Sequence, residues 1–209
     1  MAQSHPAAQG HDGGYDIVVS LGTDHHRFDR LVDWIDDYLL DHPGVSCLLQ
    51  HGASRPSARA TSVPRMPRPE LLELYQNSQV AVVQGGPGSI IDARGLGLVP
   101  IAVPRLSRLH EVVDDHQVLF TDHMVAEGEA LRARDATELA ELIDAALARP
   151  SEFRTAPRQA HPEQAGRLLS ASMERARLDP WRTTDMVRRL LWTARDSLPV
   201  PHRTSAGAA

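Results

Sequence analysis

Short apolar runs alternate with amphipathic segments along most of the chain. The apolar runs are rich in β-branched residues, so they predict strands at 15–21, 45–50, 80–84 and 100–103. Apolar residues three and four positions apart predict helices between the strands, at 28–39, 69–78, 89–96, 112–124 and 136–148. The irregular stretch at 51–69 predicts a loop with room for one short strand.

This alternation predicts a parallel sheet with helices on both faces, which is a Rossmann-like α/β fold. Ligands of such sheets bind beyond the carboxyl ends of the strands. We therefore expect three polar turns to share one edge of the sheet, at 22–23, 85–89 and 104–111.

The sequence divides into three parts. Residues 1–14 have neither a basic start nor an apolar centre, so they predict a flexible leader and not a secretion signal. Residues 15–150 form the predicted α/β domain, and 151–209 a basic, partly helical C-terminal extension with a disordered end. Within that extension, residues 181–198 predict a basic amphipathic helix, which could pack on its own core, bind a protein partner or lie on a membrane.

The amino-acid composition excludes several kinds of catalytic and binding site. The chain has no lysine, which excludes a Schiff base, a pyridoxal anchor and a P-loop lysine. Its single cysteine, Cys47, excludes an internal disulfide and a cysteine-only metal cluster. Residues 1–150 carry 12 arginines against 21 acidic residues, which argues against nucleic acid as a partner.

No run of the sequence reaches the roughly 18 consecutive apolar residues of a membrane span. We expect a cytoplasmic protein, held at the membrane only through a partner or the C-terminal helix.

The stretch VVQGGPGSIIDARGLG at 82–97 runs from a strand through glycines into a helix. Unpaired N–H groups and the positive end of the helix dipole would meet there, so this turn could hold a phosphate. Alternatively, the glycines only form a turn, with Ser89 as N-cap and Asp92 closing a capping box. Without that role, Asp92 could accept hydrogen bonds from sugar hydroxyls. The residues of the candidate phosphate site are Gly85, Gly86, Pro87, Gly88 and Ser89.

A second polar cluster, LHEVVDDHQ, follows the last predicted strand. Read as a metal site, His110 and Asp114 could share a helix face, with His25 and His26 as further ligands, although no known metal motif has this spacing. Read as a nucleotide site, the cluster would contact ribose and diphosphate. The residues of the nucleotide interpretation are Glu111, Asp115, His116 and Gln117.

Three segments together resemble the C-terminal, nucleotide-sugar-binding domain of family 28 glycosyltransferases: VSLGTDHHRFDRLVDWID, GGPGSIIDARGLGLVPIAVPR and HEVVDDHQ. The likeness covers about 15–148. It is strongest to the single-domain subunits of two-part enzymes, such as the dolichol-pathway N-acetylglucosaminyltransferase and bacterial exopolysaccharide counterparts. It implies half of a GT-B fold that binds a UDP-sugar. A separate, usually membrane-anchored subunit would bring a lipid-linked acceptor, and no cofactor is expected.

The resemblance also implies roles for individual residues. Gly22 and Thr23, together with the glycine turn, would lie near the diphosphate and the sugar. Asp92 would hold the ribose, a role that a glutamate has in the related peptidoglycan transferase. His116 and Gln117 would contact the donor sugar or the ribose. The relatives often read GEHVDDHQ, whereas this chain reads RLHEVVDDHQ.

We expect an inverting, metal-independent transfer, in which an acceptor hydroxyl attacks the anomeric carbon and preorganised N–H groups stabilise the leaving diphosphate. His25 and His26 are the candidate general bases in this chain, and the partner subunit is the other possible source of the base. Two further functions remain open from the residues alone. One is a non-catalytic UDP-sugar-binding regulatory module, and the other is a metal-dependent hydrolase.

Overall fold

The computed structural model describes residues 14–157. Within that range, strands alternate with helices from end to end. In chain order they are β1 (Ile17–Ser20), α1 (Asp29–Asp41), β2 (Cys47–Gln50), β3 (Thr61–Val63), α2 (Arg68–Gln76), β4 (Val80–Gln84), α3 (Pro87–Gly95), β5 (Ile101–Val103), α4 (His116–Ala126), β6 (Leu131–Arg132) and α5 (Ala136–Ala148). Short 3-10 turns cover Ser107–Leu109 and Pro150–Phe153.

The strands form one parallel sheet in the order β3-β2-β1-β4-β5-β6. β1 is central, because Ile17 pairs with Cys47 of β2 on one side and with Val80 of β4 on the other. The strand order reverses between β1 and β4, and such a switch point opens a crevice at the carboxyl ends of the strands. The predicted parallel α/β fold is confirmed.

The central strands are buried on both faces, which explains why they read as continuous apolar runs. Successive side chains of a strand point to opposite sides of the sheet. Ile17 and Val19 belong to the core formed with α1 and α5, whereas Val18 belongs to the core formed with α2, α3 and α4. The sheet is thereby fixed from both sides and supports the turns at its edge.

The start of α3 differs from the sequence prediction. The helix begins at Pro87 rather than Ser89, its N-cap is Gly86, and no described side chain caps it. The predicted capping box of Ser89 and Asp92 is therefore wrong. Proline suits the first helical position because its φ is already helical and its nitrogen has no hydrogen to satisfy.

The start of α4 also differs, because the helix begins at His116 rather than Val112. Carboxylates hold the preceding residues in turns by accepting backbone N–H groups, with Asp114 bonded to the N–H of His116 and Asp115 to that of Ser107. His110 has a left-handed φ of 57°. His110 and Asp114 therefore share no helix face, and that predicted metal arrangement is wrong.

Every helix within residues 14–157 is too short or too polar to be a membrane span. Residues 1–13, in the predicted leader, lie outside the described part of the chain. The same holds from residue 158 onward, which includes the amphipathic helix predicted at 181–198.

Candidate functional site

The turns after β1 and β4, together with the starts of α2 and α4, line one cleft of about 570 Å³ at the carboxyl edge of the sheet. That volume falls in the usual range for small-molecule sites. The cleft brings together most of the predicted binding residues, namely Gly22, Thr23, Gly86, Pro87, Gly88, Ser89, Asp92, His116 and Gln117. The predicted residues that do not line it are Gly85, His25, His26, Glu111 and Asp115.

Two glycines of the cleft, Gly22 and Gly86, pack closely against the side chain of Gln84, at the end of β4. A Cβ atom would lie 2.6 Å from Gln84 Nε2 if placed on Gly22, and 2.5 Å from it if placed on Gly86. Gly22 also has a φ of +76°, which favours glycine. The buried Oε1 of Gln84 has no hydrogen-bond partner among the described residues. Gln84, which sequence reasoning missed, is therefore a polar floor of the cleft with an unused acceptor.

The other two glycines of the turn after β4 have different surroundings. A Cβ atom on Gly85 would lie 2.5 Å from Thr121 Oγ1 and 2.8 Å from Pro104 Cβ, so this glycine permits close packing. A Cβ atom on Gly88 would meet no other group of the described chain within 4 Å. The first N–H groups of a helix lack intrahelical acceptors. At Gly88 and Ser89 those donors therefore lie where a ligand atom can approach them.

Asp92 is engaged by an arginine rather than by a helix cap. Arg68 donates from Nη2 to Oδ1 at 2.7 Å and from Nε to Oδ2 at 3.1 Å. Both residues line the cleft, with Arg68 largely exposed and Asp92 mostly covered. Sequence reasoning missed Arg68 because it lies 24 residues away, on α2, and only the packing of α2 beside α3 brings the pair together.

The turn after β1 carries a paired acid and histidine. His26 contacts Asp24 Oδ1 through its backbone N at 2.8 Å and through Nδ1 at 2.7 Å. Burial of Asp24 raises its pKa, but these hydrogen bonds and the charge of Arg105 outweigh burial, so the pKa of Asp24 is lowered. Asp24 lines the cleft, although the sequence did not single it out. His25 is 85% exposed.

Glu111 stabilises the loop after β5. Its carboxylate is buried and accepts from Arg30 Nε at 2.9 Å and Nη2 at 2.8 Å. The same carboxylate accepts from the backbone N–H of Leu106 at 3.0 Å. Arg30 also donates to the carbonyl of Pro104 at 3.0 Å. The structure therefore places Glu111 in a buried network behind the cleft.

Arg105 links the turn after β1 to the loop after β5. The side chain is fully buried, and it donates to the carbonyls of His26 at 2.8 Å, Glu111 at 2.9 Å and Leu21 at 2.9 Å. Burial lowers the pKa of Arg105, while Asp24 and Glu111 counteract that effect. No sequence pattern marks Arg105, because its acceptors are backbone carbonyls, two of which lie far away along the chain.

The start of α4 places two of the predicted residues in the cleft and one beside it. His116 and Gln117 line the cleft, and Gln117 Oε1 accepts from the backbone N–H of Arg105 at 3.3 Å. Asp114 contacts the ring of His116 through Nδ1. Asp115 accepts from the N–H of Ser107 at 3.0 Å, which ties the 3-10 turn to the helix start.

Residues 66–170 match the model of the Glycosyltransferase family 28 C-terminal domain, a range that includes the turn after β4 and the start of α4. None of the curated proteins compared with the chain matches it.

Three solved structures are among those to which the chain is similar. The glycotransferase of kitacinnamycin is 17% identical, with a TM-score of 0.47 over 74% of this chain and 42% of that one. The C-terminal CMP-Kdo binding domain of WaaA from Acinetobacter baumannii is 18% identical, with a TM-score of 0.44 over 67% of this chain and 84% of that one. MurG from Acinetobacter baumannii is 15% identical, with a TM-score of 0.45 over 68% of this chain and 42% of that one. The chain thus spans less than half the length of the first and third structures.

Proposed function

The chain belongs to the glycosyltransferase family 28 C-terminal domain family, and on that premise we propose that it is the donor-binding subunit of a two-part glycosyltransferase. It binds a UDP-sugar as one half of a GT-B enzyme. A separate, membrane-associated subunit brings a lipid-linked acceptor for polysaccharide or glycan synthesis. The observation that carries this proposal is the open position at Gly88, at the start of α3 and inside the cleft.

The diphosphate occupies the start of α3. The N–H groups of Gly88 and Ser89 have no acceptor within the helix, and the helix dipole adds partial positive charge at the same place. The absence of a Cβ at Gly88 lets phosphate oxygens approach the backbone closely. Gly22 and Thr23 complete this end of the cleft from the turn after β1.

The nucleoside and the sugar occupy the remaining length of the cleft. Asp92 lies one helical turn beyond Gly88, where its carboxylate accepts hydrogen bonds from the ribose hydroxyls. Arg68 holds that carboxylate in a fixed orientation through two hydrogen bonds. His116 and Gln117 line the cleft from α4, where they contact the donor sugar.

The reaction is an inverting displacement at the anomeric carbon. The acceptor oxygen forms a bond to that carbon, the bond to the diphosphate oxygen breaks, and UDP leaves with the electron pair. Donors aimed at the developing charge stabilise the transition state because they need no reorganisation during the reaction. A general base takes the proton of the acceptor hydroxyl. Of the two candidates in this chain, His26 is oriented by Asp24, whereas His25 is mostly in solvent.

Titration calorimetry tests donor binding. The full chain is titrated with UDP, UDP-N-acetylglucosamine, UDP-glucose and UDP-glucuronate, with CMP as a nucleotide control. We expect UDP and at least one UDP-sugar to bind more tightly than CMP. If none of the uridine ligands binds, the donor-binding proposal is wrong.

Sugar transfer tests the two-subunit arrangement. We expect the purified chain alone to transfer little sugar to lipid acceptors, and the chain with its membrane-associated partner to transfer it efficiently. Transfer by the chain alone at the full rate would contradict the two-subunit proposal, but it would leave the donor-binding proposal intact.

A further inference from the structure

Asp24, His25 and His26 bring three potential metal ligands together in the turn after β1. His26 Nδ1 lies 2.7 Å from Asp24 Oδ1, and His25 Nδ1 lies 3.5 Å from the same oxygen. The centroids of the two imidazole rings are 4.0 Å apart. Ligand atoms of all three residues lie within 4.8 Å of one another. Two ring nitrogens thus converge on one carboxylate oxygen.

The backbone of this turn is fixed from inside the protein. Arg105 donates to the carbonyls of Leu21 and His26, which lie on either side of the turn. The N–H of Phe28 donates to Ser54 Oγ at 2.7 Å, and this bond anchors the chain where it enters α1. The fold therefore orders the backbone of all three ligands, and only their side chains must adjust to an ion.

We propose that Asp24, His25 and His26 bind one divalent transition-metal ion, of which zinc is the first candidate. Two imidazoles and one carboxylate suit zinc, cobalt and similar ions. Tetrahedral zinc with bonds of about 2.0 to 2.1 Å keeps its ligand atoms about 3.3 Å apart. The two separations from Asp24 Oδ1, 2.7 and 3.5 Å, lie on either side of that spacing.

The ion would have an open coordination position at the edge of the cleft. Three protein ligands leave a fourth position for water or for an oxygen of another molecule. Asp24 itself lines the cleft beside Gly22 and Thr23, so a phosphate oxygen of a bound nucleotide is a suitable fourth ligand.

The surrounding charges set the strength of this site. The guanidinium of Arg105 acts on Asp24, and Arg65 donates to the carbonyl of Thr23 at 2.9 Å. The charge of Arg27 is paired with Asp29. Since Arg105 and Arg65 oppose a second cation, we expect weaker binding than at a structural zinc site with four protein ligands.

This site is a separate proposal from UDP-sugar binding. The sequence led us to expect no metal for the transfer, and the site adds a ligand next to the cleft whether or not a nucleotide binds. A His26 that binds the ion cannot also accept the proton of the acceptor hydroxyl, so with the ion in place the general base would come from the partner subunit. Its test therefore measures metal binding directly.

The experiment titrates the full chain, stripped with EDTA, with zinc chloride in a calorimeter and with cobalt chloride in a visible absorption cell. We expect the wild type to bind one equivalent that His25→Ala and His26→Ala weaken at least tenfold. The control is His123→Ala, which removes an exposed histidine on α4 and should leave this binding unchanged. His25→Ala is the decisive variant, because its side chain is 85% exposed and its removal should leave the fold intact by circular dichroism.

Two results would overturn the proposal. The first is a wild type that binds no zinc or cobalt, and the second is a His25→Ala chain that binds them as tightly as the His123→Ala chain. A parallel titration with UDP, with and without zinc, separates the two proposals. Zinc binding without UDP binding would refute the proposed function alone, whereas UDP binding without zinc binding would refute the metal site alone.

Discussion

The turn after β4 and the loop after β5 are stabilised by different means, and of the two only the turn after β4 lines the cleft. The turn after β4 consists of glycine, proline and serine, and it offers backbone N–H groups at the start of α3. The loop after β5 is held by buried side chains, in which Glu111 binds Arg30 and Arg105 binds three backbone carbonyls. One turn is shaped by the absence of side chains and the other by a buried ionic network.

The turn after β4 is suited to bind a ligand, whereas the loop after β5 stabilises the structure around the cleft. Ligand atoms can reach the backbone of the turn after β4 because Gly88 has open space around it. Glu111 and Arg105 are buried and do not line the cleft. The Arg105 side chain nevertheless fixes the turn after β1, and its backbone N–H fixes the side chain of Gln117. Changes at Gly88 should therefore affect affinity with little effect on stability, and changes to the buried side chains of the loop after β5 should affect stability first.

The largest effect is expected from Gly88→Val. The added side chain would occupy the open space at the start of α3 and keep phosphate oxygens from the N–H groups. We expect UDP affinity to fall at least about 100-fold, which is about 2.7 kcal/mol. The matched control is Gly95→Val, at the other end of α3, where an added Cβ also meets open space. Calorimetry that finds equal UDP affinity in the two variants would show that the glycines only form a turn.

Glu111→Gln should have the next largest effect, on the free energy of unfolding. The change leaves the mostly buried Arg30 without its ionic partner, and breaking such charged hydrogen bonds costs about 2 kcal/mol. Urea unfolding followed by circular dichroism measures this loss. The exposed pair of Arg134 and Glu138 provides the control, since Glu138→Gln should change stability far less.

A double variant sharpens this prediction. Replacing Arg30 and Glu111 together by methionine removes both charges at once, so it should destabilise the chain by less than the sum of the two single methionine variants. Strictly additive losses would mean that the two side chains stabilise the loop independently.

Arg68→Met should have the smallest effect, on UDP affinity alone. Arg68 is largely exposed, so its pair with Asp92 contributes little to stability, but it orients the carboxylate. We expect affinity to fall by less than about fivefold. Arg134→Met, two residues before α5, is the control and should leave UDP affinity unchanged. A loss as large as that of Gly88→Val would instead indicate that Arg68 binds the diphosphate directly.

The sequence predicted the parts of the fold that depend on local pattern. The buried strands β1, β2, β4 and β5 and all the helices of the described residues appear near their predicted positions, because apolar periodicity reflects burial directly. β6 was missed, since Leu131–Arg132 is too short to show a pattern and exists through its pairing with β5. The starts of α3 and α4 were misplaced because proline and carboxylate-to-backbone bonds decide them.

The sequence by itself determined that a glycine-rich turn precedes a helix at a sheet edge, because strand, turn and helix propensities are local. Only the tertiary structure decided what the charged residues do. Asp92 pairs with Arg68, Glu111 with Arg30, and Asp24 with His26, and the first two of these pairs join residues far apart in the chain. Buried and half-buried charges must find partners, and which partner each finds depends on how the helices pack across the sheet.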